Sequence, residues 1–168
     1  MEENPADADA EPKPRRRNAR ELSAKQRALG LLTRREHSRK ELTRKLTSRG
    51  MDATEVETAV EALSRDGWQN DARFAESLVR ARSSGGYGPM KIQVELATHG
   101  LDREAIATAL DTFNGDWAEI ASDLVRRRYG PVATLDLNQR RKAADFLIRR
   151  GFGSGMVRSA TRSEFERD

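Results

Sequence analysis

Clustered arginine and lysine side chains are the residues whose type and spacing point to chemistry. Residues 34–49 hold seven bases (Arg34, Arg35, Arg39, Lys40, Arg44, Lys45 and Arg49) against Glu36 and Glu41 alone. A second set contains Arg126, Arg127, Arg128, Arg140, Arg141, Lys142, Arg149 and Arg150, interrupted only by Asp136 and Asp145. Guanidinium and ammonium groups at this density suit a polyanion, because they hold phosphate or carboxylate oxygens and release counterions. Between the two sets, residues 70–115 carry five bases and six acids, so the middle is nearly neutral. Like charges one helical turn apart, as in Lys40 and Arg44, do not help a helix, which favours binding as their purpose. The competing account is a solvated helix face with pairs such as Glu41–Lys45. Arg49 and Arg150, just before turn glycines, also gain from the dipole at a helix C-terminus.

Other chemistries find little support. The 168 residues include no Cys, which excludes disulfides, thiolate catalysis, iron–sulfur clusters and Cys-ligated zinc. The two histidines, His37 and His99, have no triad spacing and are too few for an all-His metal site. Both are expected at the surface or in helix-terminal turns. Gly85-Gly86-Tyr87-Gly88 lacks the Lys-Ser/Thr of a phosphate-binding loop and stands between helices. Asp102 and Glu104 open a helix, where the dipole accounts for them. No enzyme activity, cofactor or metal is expected. Charged residues are 35% and apolar ones 36%; the 31 bases against 27 acids give a net charge of +4. No apolar run approaches the ~20 residues of a membrane span. The first twenty residues lack the apolar stretch of a secretory signal, so a cytoplasmic address is expected.

The elements that must position these charges repeat three times. KELTRKLTSRGMDATEVETAVEAL starts at Lys40, MKIQVELATHGLDREAIATALDTF fifty residues later, and RKAADFLIRRGFGSGMVRSATRSEF fifty-one beyond that. Leu42, Ile92 and Ala143 correspond, as do Leu46, Leu96 and Leu147; Gly50, Gly100 and Gly151; and Val56, Ile106 and Val157. Apolar residues at i, i+4 and i+7 around each Gly describe helix, tight turn, helix, with Gly supplying the left-handed residue after the first helix. Ser38, Asp52 (with Glu55), Asn70, Asp102 and Asp116 stand where N-caps belong. A further helix precedes each pair: AKQRALGLLTRR, NDARFAESLVRAR and DWAEIASDLVRRR. Tyr-Gly-Pro at 87–89 and 129–131 is expected to stop the helices before it.

The predicted fold is therefore all-α: three tandem three-helix repeats at 23–69, 70–115 and 116–168, stacked into an elongated, curved body whose units share a core. Residues 1–22, with three prolines, five acids within 1–11 and five bases within 12–20, read as a disordered charged tail. Its basic half is either solvated linker or a weak nucleic-acid contact. Trp68 and Trp117 fall near repeat junctions and are expected to pack there, with base stacking as the alternative.

RALGLLTRREHSRKELTRKLTSRG (27–50) and LSRDGWQNDARFAESLVRARSSGGYGPMKIQVELATHGLDREAIATAL (63–110) closely resemble the RecX family, modulators of the RecA recombinase. The likeness lies in H-S-x-x-E-L at His37–Leu42, G-x-x-x-D-x-R-F-A from Gly67 to Ala75, and E-L-x-x-x-G-[IL] at Glu95–Leu101. It is close over residues 23–115 and looser beyond, where Gly153-Ser154-Gly155 replaces a capping segment. The resemblance implies a non-catalytic monomer that binds the RecA filament on single-stranded DNA and damps its ATPase, strand-exchange and co-protease activities in DNA repair, recombination and the SOS response. The expected contacts with recombinase, or with single-stranded or duplex DNA through its backbone, are Arg34, Arg35, Lys40, Arg44, Lys45, Arg80, Arg82, Lys91, Arg126, Arg127, Arg128, Arg141 and Lys142. Two readings compete: a helix-turn-helix transcription factor, and a plain helical scaffold. The first is weakened because the second helix of the first pair carries Glu55, Glu57 and Glu61, which phosphates would repel.

Overall fold

The computed structural model describes residues 22–162. Among these are nine α-helices, one 3-10 turn and no strand: α1 (Ala24–Leu32), α2 (Arg39–Ser48), α3 (Ala53–Arg65), α4 (Asp71–Ser84), α5 (Pro89–Thr98), α6 (Arg103–Asp111), α7 (Trp117–Tyr129), the turn Val132–Thr134, α8 (Leu137–Arg150) and α9 (Ser154–Thr161). The charged tail lies outside the described residues except for Leu22.

Local chemistry sets the helix ends. Ser38, Asp52, Asn70, Asp102 and Asp116 each accept a backbone N–H from the first turn of the helix they open. Ser23 and Asp136 add reciprocal capping boxes with Gln26 and Gln139. Asp116 accepts two such bonds, at 2.8 Å from Ala118 and 3.4 Å from Glu119. Asp116→Ala is expected to cost about 1 kcal/mol, read as a lower urea midpoint, whereas Asp116→Asn keeps most of that stability. Gly50, Gly100 and Gly151 all have positive φ, between 82° and 90°, and end α2, α5 and α8. After each of the first and last, the next residue (Met51 or Phe152) donates back to Leu46 or Leu147, closing the last turn.

Tyr-Gly-Pro behaves differently from expectation. α4 already ends at Ser84, and Pro89 is the first residue of α5, where a missing N–H leaves no bond unmade. In the third repeat Gly130 does cap α7, and Pro131 leads into the 3-10 turn.

Each helix trio closes an apolar cluster of its own. Leu42, Leu46, Val56, Val60 and Leu63 fill the first; Phe74, Val79, Ile92, Leu96 and Ile106 the second; Val125, Phe146, Leu147, Phe152 and Val157 the third. The positions aligned by the repeat, 42/92/143, 46/96/147 and 56/106/157, are buried in all three copies. The expectation of a core shared between neighbours is thus corrected. Among the described residues Trp117 alone borders two clusters, stacked on Phe113 with ring centroids 4.0 Å apart. The physical reason is composition: the residues at the joints between trios are mostly polar or glycine. Trp68 is also corrected, since it is 57% exposed. The Arg73 guanidinium holds the carbonyls of Gly67 and Trp68 at 2.9 and 3.1 Å, and Gln69 takes the buried place instead.

Candidate partner and nucleic-acid interface

The expected contact residues divide by what surrounds them. In the first repeat, Arg34 lies exposed beyond α1, and Lys40 and Arg44 lie exposed along α2. Among the described residues none of these three side chains makes an ion pair or hydrogen bond. Arg35 and Lys45 instead converge on Glu41, which is only 7% exposed. In the middle repeat Arg80 is exposed and unpaired among the described residues, whereas Arg82 grips Glu95 through two bonds of 2.8 and 2.7 Å. That grip holds the Glu95 carboxyl below the usual carboxylate range. In the third, Arg126 and Arg127 share Asp123, while Arg141 and Lys142 are exposed on α8.

The remaining two, Lys91 and Arg128, stand beside aromatic rings. The Lys91 ammonium is 4.9 Å from the Tyr87 ring centre, and the Arg150 guanidinium is 4.7 Å from the same ring. Arg150 also lies 5.2 Å from Phe146, which Arg128 approaches to 4.7 Å. Arg128 reaches Tyr129 at 5.8 Å. Cations and rings therefore alternate from α5 across to α7. Tyr87, Phe146, Tyr129 and Arg150 were not among the expected contacts. The recurrence of Tyr-Gly-Pro marks the two tyrosines in the sequence, but no spacing rule places a ring on α4–α5 beside a guanidinium at residue 150.

The joint between the first two repeats is a polar network. His37 is 2% exposed, contrary to the surface position expected of it. Its Nδ1–H donates to the Arg35 carbonyl at 3.0 Å, so Nε2 is the acceptor facing Lys45 Nζ at 3.3 Å. Ser38 Oγ lies 2.8 Å from His99 Nδ1, and the His99 ring rests on Phe74 at 4.5 Å. His99 does occupy the helix-terminal turn expected of it, as the cap of α5, but as a half-buried joint residue. Burial pushes both histidines below the usual imidazole range. Burial pushes the Glu41 carboxyl up, but hydrogen bonds from Arg35 and Lys45, with the His37 field, outweigh it and hold it at about 2.

The same network explains the motif from Gly67 to Ala75. Gln69 donates to the His37 carbonyl at 3.2 Å and to Asp71 at 2.8 Å. Asp71 also accepts the Arg39 backbone N–H at 2.9 Å, at the start of α2. Arg73 adds Glu36 at 3.0 Å to its two carbonyls. This segment fastens the second repeat to the first.

Comparison with known proteins agrees with this arrangement. Models of the first, second and third three-helix domains of RecX match residues 24–63, 70–110 and 116–161. The regulatory protein RecX of Stenotrophomonas maltophilia (strain R551-3) is 59% identical over 157 residues, which cover 94% of this chain and 96% of that one. RecX of Xanthomonas oryzae pv. oryzae (strain PXO99A) is 55% identical over 159 residues, covering 94% and 98%. The crystal structure of RecX from Lactobacillus salivarius superposes with a TM-score of 0.69 at 23% identity, over 82% of this chain and 91% of its own. Three matched domains in order, and identity above one half across nearly the whole length, place this chain in the RecX family of regulatory proteins.

Proposed function

We propose that this protein binds the RecA recombinase filament on single-stranded DNA and restrains its ATPase, strand-exchange and co-protease activities in DNA repair, recombination and the SOS response. The observation that carries the reading is the placing of exposed bases in the two end repeats, with a nearly neutral repeat between them. Lys40 and Arg44 on α2, and Arg141 and Lys142 on α8, occupy solvent faces of equivalent helices. Such a body suits the groove of a nucleoprotein polymer, with basic helices near DNA phosphates or acidic recombinase surface. The protein acts by binding as a monomer in the cytoplasm, without catalysis. Contacts to DNA run to the backbone and are largely independent of sequence. The exposed Glu55, Glu57 and Glu61 on α3 speak against a major-groove recognition helix.

The test is DNA-stimulated ATP hydrolysis by the cognate recombinase with this protein below stoichiometry. Hydrolysis is expected to fall, and the protein to co-sediment with recombinase-coated single strands. Unchanged hydrolysis together with no co-sedimentation overturns the proposal.

A further inference from the structure

We infer that the alternating cations and rings across the second and third repeats form a strip that binds the phosphate backbone of single-stranded nucleic acid. The inference rests on the reading above that the chain reaches DNA, and it names the site. The strip runs Lys91, Tyr87, Arg150, Phe146, Arg128, with every step between 4.7 and 5.2 Å. It draws on α5, the α4–α5 connection, α8 and α7, so only the docked repeats assemble it. Its two end cations, Lys91 and Arg128, are exposed. No ion pair or side-chain hydrogen bond to either appears among the described residues.

The rings decide what the cations are for. A guanidinium laid on a ring is held by the face of the π-system, which leaves its N–H edges free for a planar acceptor. Arg150 spends one edge on the Gly85 carbonyl at 3.1 Å, which fixes it at the joint. Arg128 has both edges available to solvent-side ligands. By contrast Arg82, Arg126 and Arg127 are occupied by Glu95 and Asp123. A carboxylate ligand from this chain is what an internal staple would use; among the described residues none is within ion-pair distance of the strip's cations, and Glu95, one turn from Lys91 and within its field, is held by Arg82. Half-buried Tyr87 and Tyr129 offer ring surface beside the cations, the combination that single strands use for phosphate and base together. Single-stranded rather than duplex nucleic acid is the ligand, since a duplex hides its base faces.

The experiment uses the full chain and a fluorescent oligothymidylate, read by anisotropy over a range of salt without recombinase. The double variant Lys91→Gln with Arg128→Gln is expected to lower the salt slope by about 1.4, which is about 0.7 for each phosphate contact on single strands. Arg128→Lys keeps the charge but not the planar fork, and is expected to lose affinity. Tyr87→Phe keeps the ring and is expected to bind as wild type. Both end positions are exposed, so an unchanged thermal melt of the double variant shows that folding is not the cause. A wild-type slope in the double variant, with loss on changing Lys40 and Arg44 instead, overturns the strip while leaving DNA binding intact. Normal oligothymidylate binding with lost co-sedimentation on recombinase filaments also overturns it, in favour of a protein contact. Wild-type protein that slows recombinase ATPase yet ignores the oligothymidylate overturns the strip but not the regulatory role.

Discussion

Gly88→Ala is expected to part the third repeat from the second. A methyl on Gly88 would stand 2.4 Å from the Gly151 carbonyl oxygen, 2.5 Å from its carbon and 2.7 Å from the Phe152 nitrogen. All three are backbone atoms, so no side chain can turn aside. Gly151 faces the same constraint from the other side: its own added carbon would meet Lys91 Cβ at 2.4 Å, and its φ of +90° already disfavours any side chain. Between these turns run two backbone bonds, from Gly88 N–H to the Arg150 carbonyl at 2.7 Å and from Met90 N–H to the Gly151 carbonyl at 3.0 Å. Forcing the turns apart breaks both bonds and takes Arg150 away from Tyr87. The expected loss of coupling is about 3 kcal/mol, from overpacking at ~1–3 and hydrogen bonds at ~1 each. Because each repeat holds its own apolar cluster, the helices survive; hydrogen exchange at the Gly88 and Met90 amides is the readout, expected to speed up roughly a hundredfold. Gly30→Ala, where an added carbon meets nothing within 4 Å, serves as the control. Protected amides in Gly88→Ala protein would show that the joint has slack that this geometry denies.

How far the sequence discloses these features follows from the range of each interaction. Caps and turn glycines depend on residues within four positions, so Ser38, Asp102 and Gly100 announce their roles directly. The apolar register 42/92/143 is legible because the fold repeats it. The joints are not, because they are made between residues far apart in the chain and of ambiguous type. His37 looks like a surface residue before a cap. Its burial arises only when Gln69, thirty-two positions on, reaches its carbonyl. Trp68 looks like packing by composition, yet Arg73 holds its backbone so that Gln69 enters instead. The basic clusters are visible as charge, but charge does not tell a free cation from a paired one. Lys40 and Lys45 are alike on paper; Lys45 lies 3.1 Å from Glu41, and Lys40 faces solvent. The cation–ring strip combines four elements and leaves no local signature.

Acid is expected to loosen the joint between the first two repeats through its histidines and then the first repeat's own Arg35–Glu41–Lys45 cluster beside it, and Glu41→Gln to remove the second stage. His37 and His99 bind a proton less readily in the folded chain than the 6.5 of a free imidazole, burial being the chief cause. The unfolded chain therefore gains protons first. Stability from these groups is complete above about pH 6.5 and declines as pH falls below it. Glu41 shifts from 4.5 to about 2, so its contribution is complete above pH 4.5 and is lost as pH falls toward 2. A difference of that size corresponds to about 3 kcal/mol. Glu41→Gln keeps the shape and drops the charge, leaving Arg35 and Lys45 without their anion and the Lys45 ammonium beside His37. Their side chains are 52% and 32% exposed, so water compensates in part, and about 2 kcal/mol is expected at pH 7. Urea unfolding at pH 7, 4.5 and 2.5 reads both stages. The variant should start less stable and then lose less than wild type between pH 4.5 and 2.5, the window in which Glu41 takes up its proton. Equal midpoints at pH 7, or parallel losses down to pH 2.5, would mean that the Arg35–Glu41–Lys45 cluster does not stabilise the first repeat. The stakes are functional as well as structural. A joint whose polar network has been protonated presents the first repeat's Lys40 and Arg44 in no fixed relation to the strip on the second and third. On the filament-binding reading proposed above, the protein is expected to lose grip on recombinase-coated strands as pH falls below the 6.5 of a free imidazole, before it unfolds.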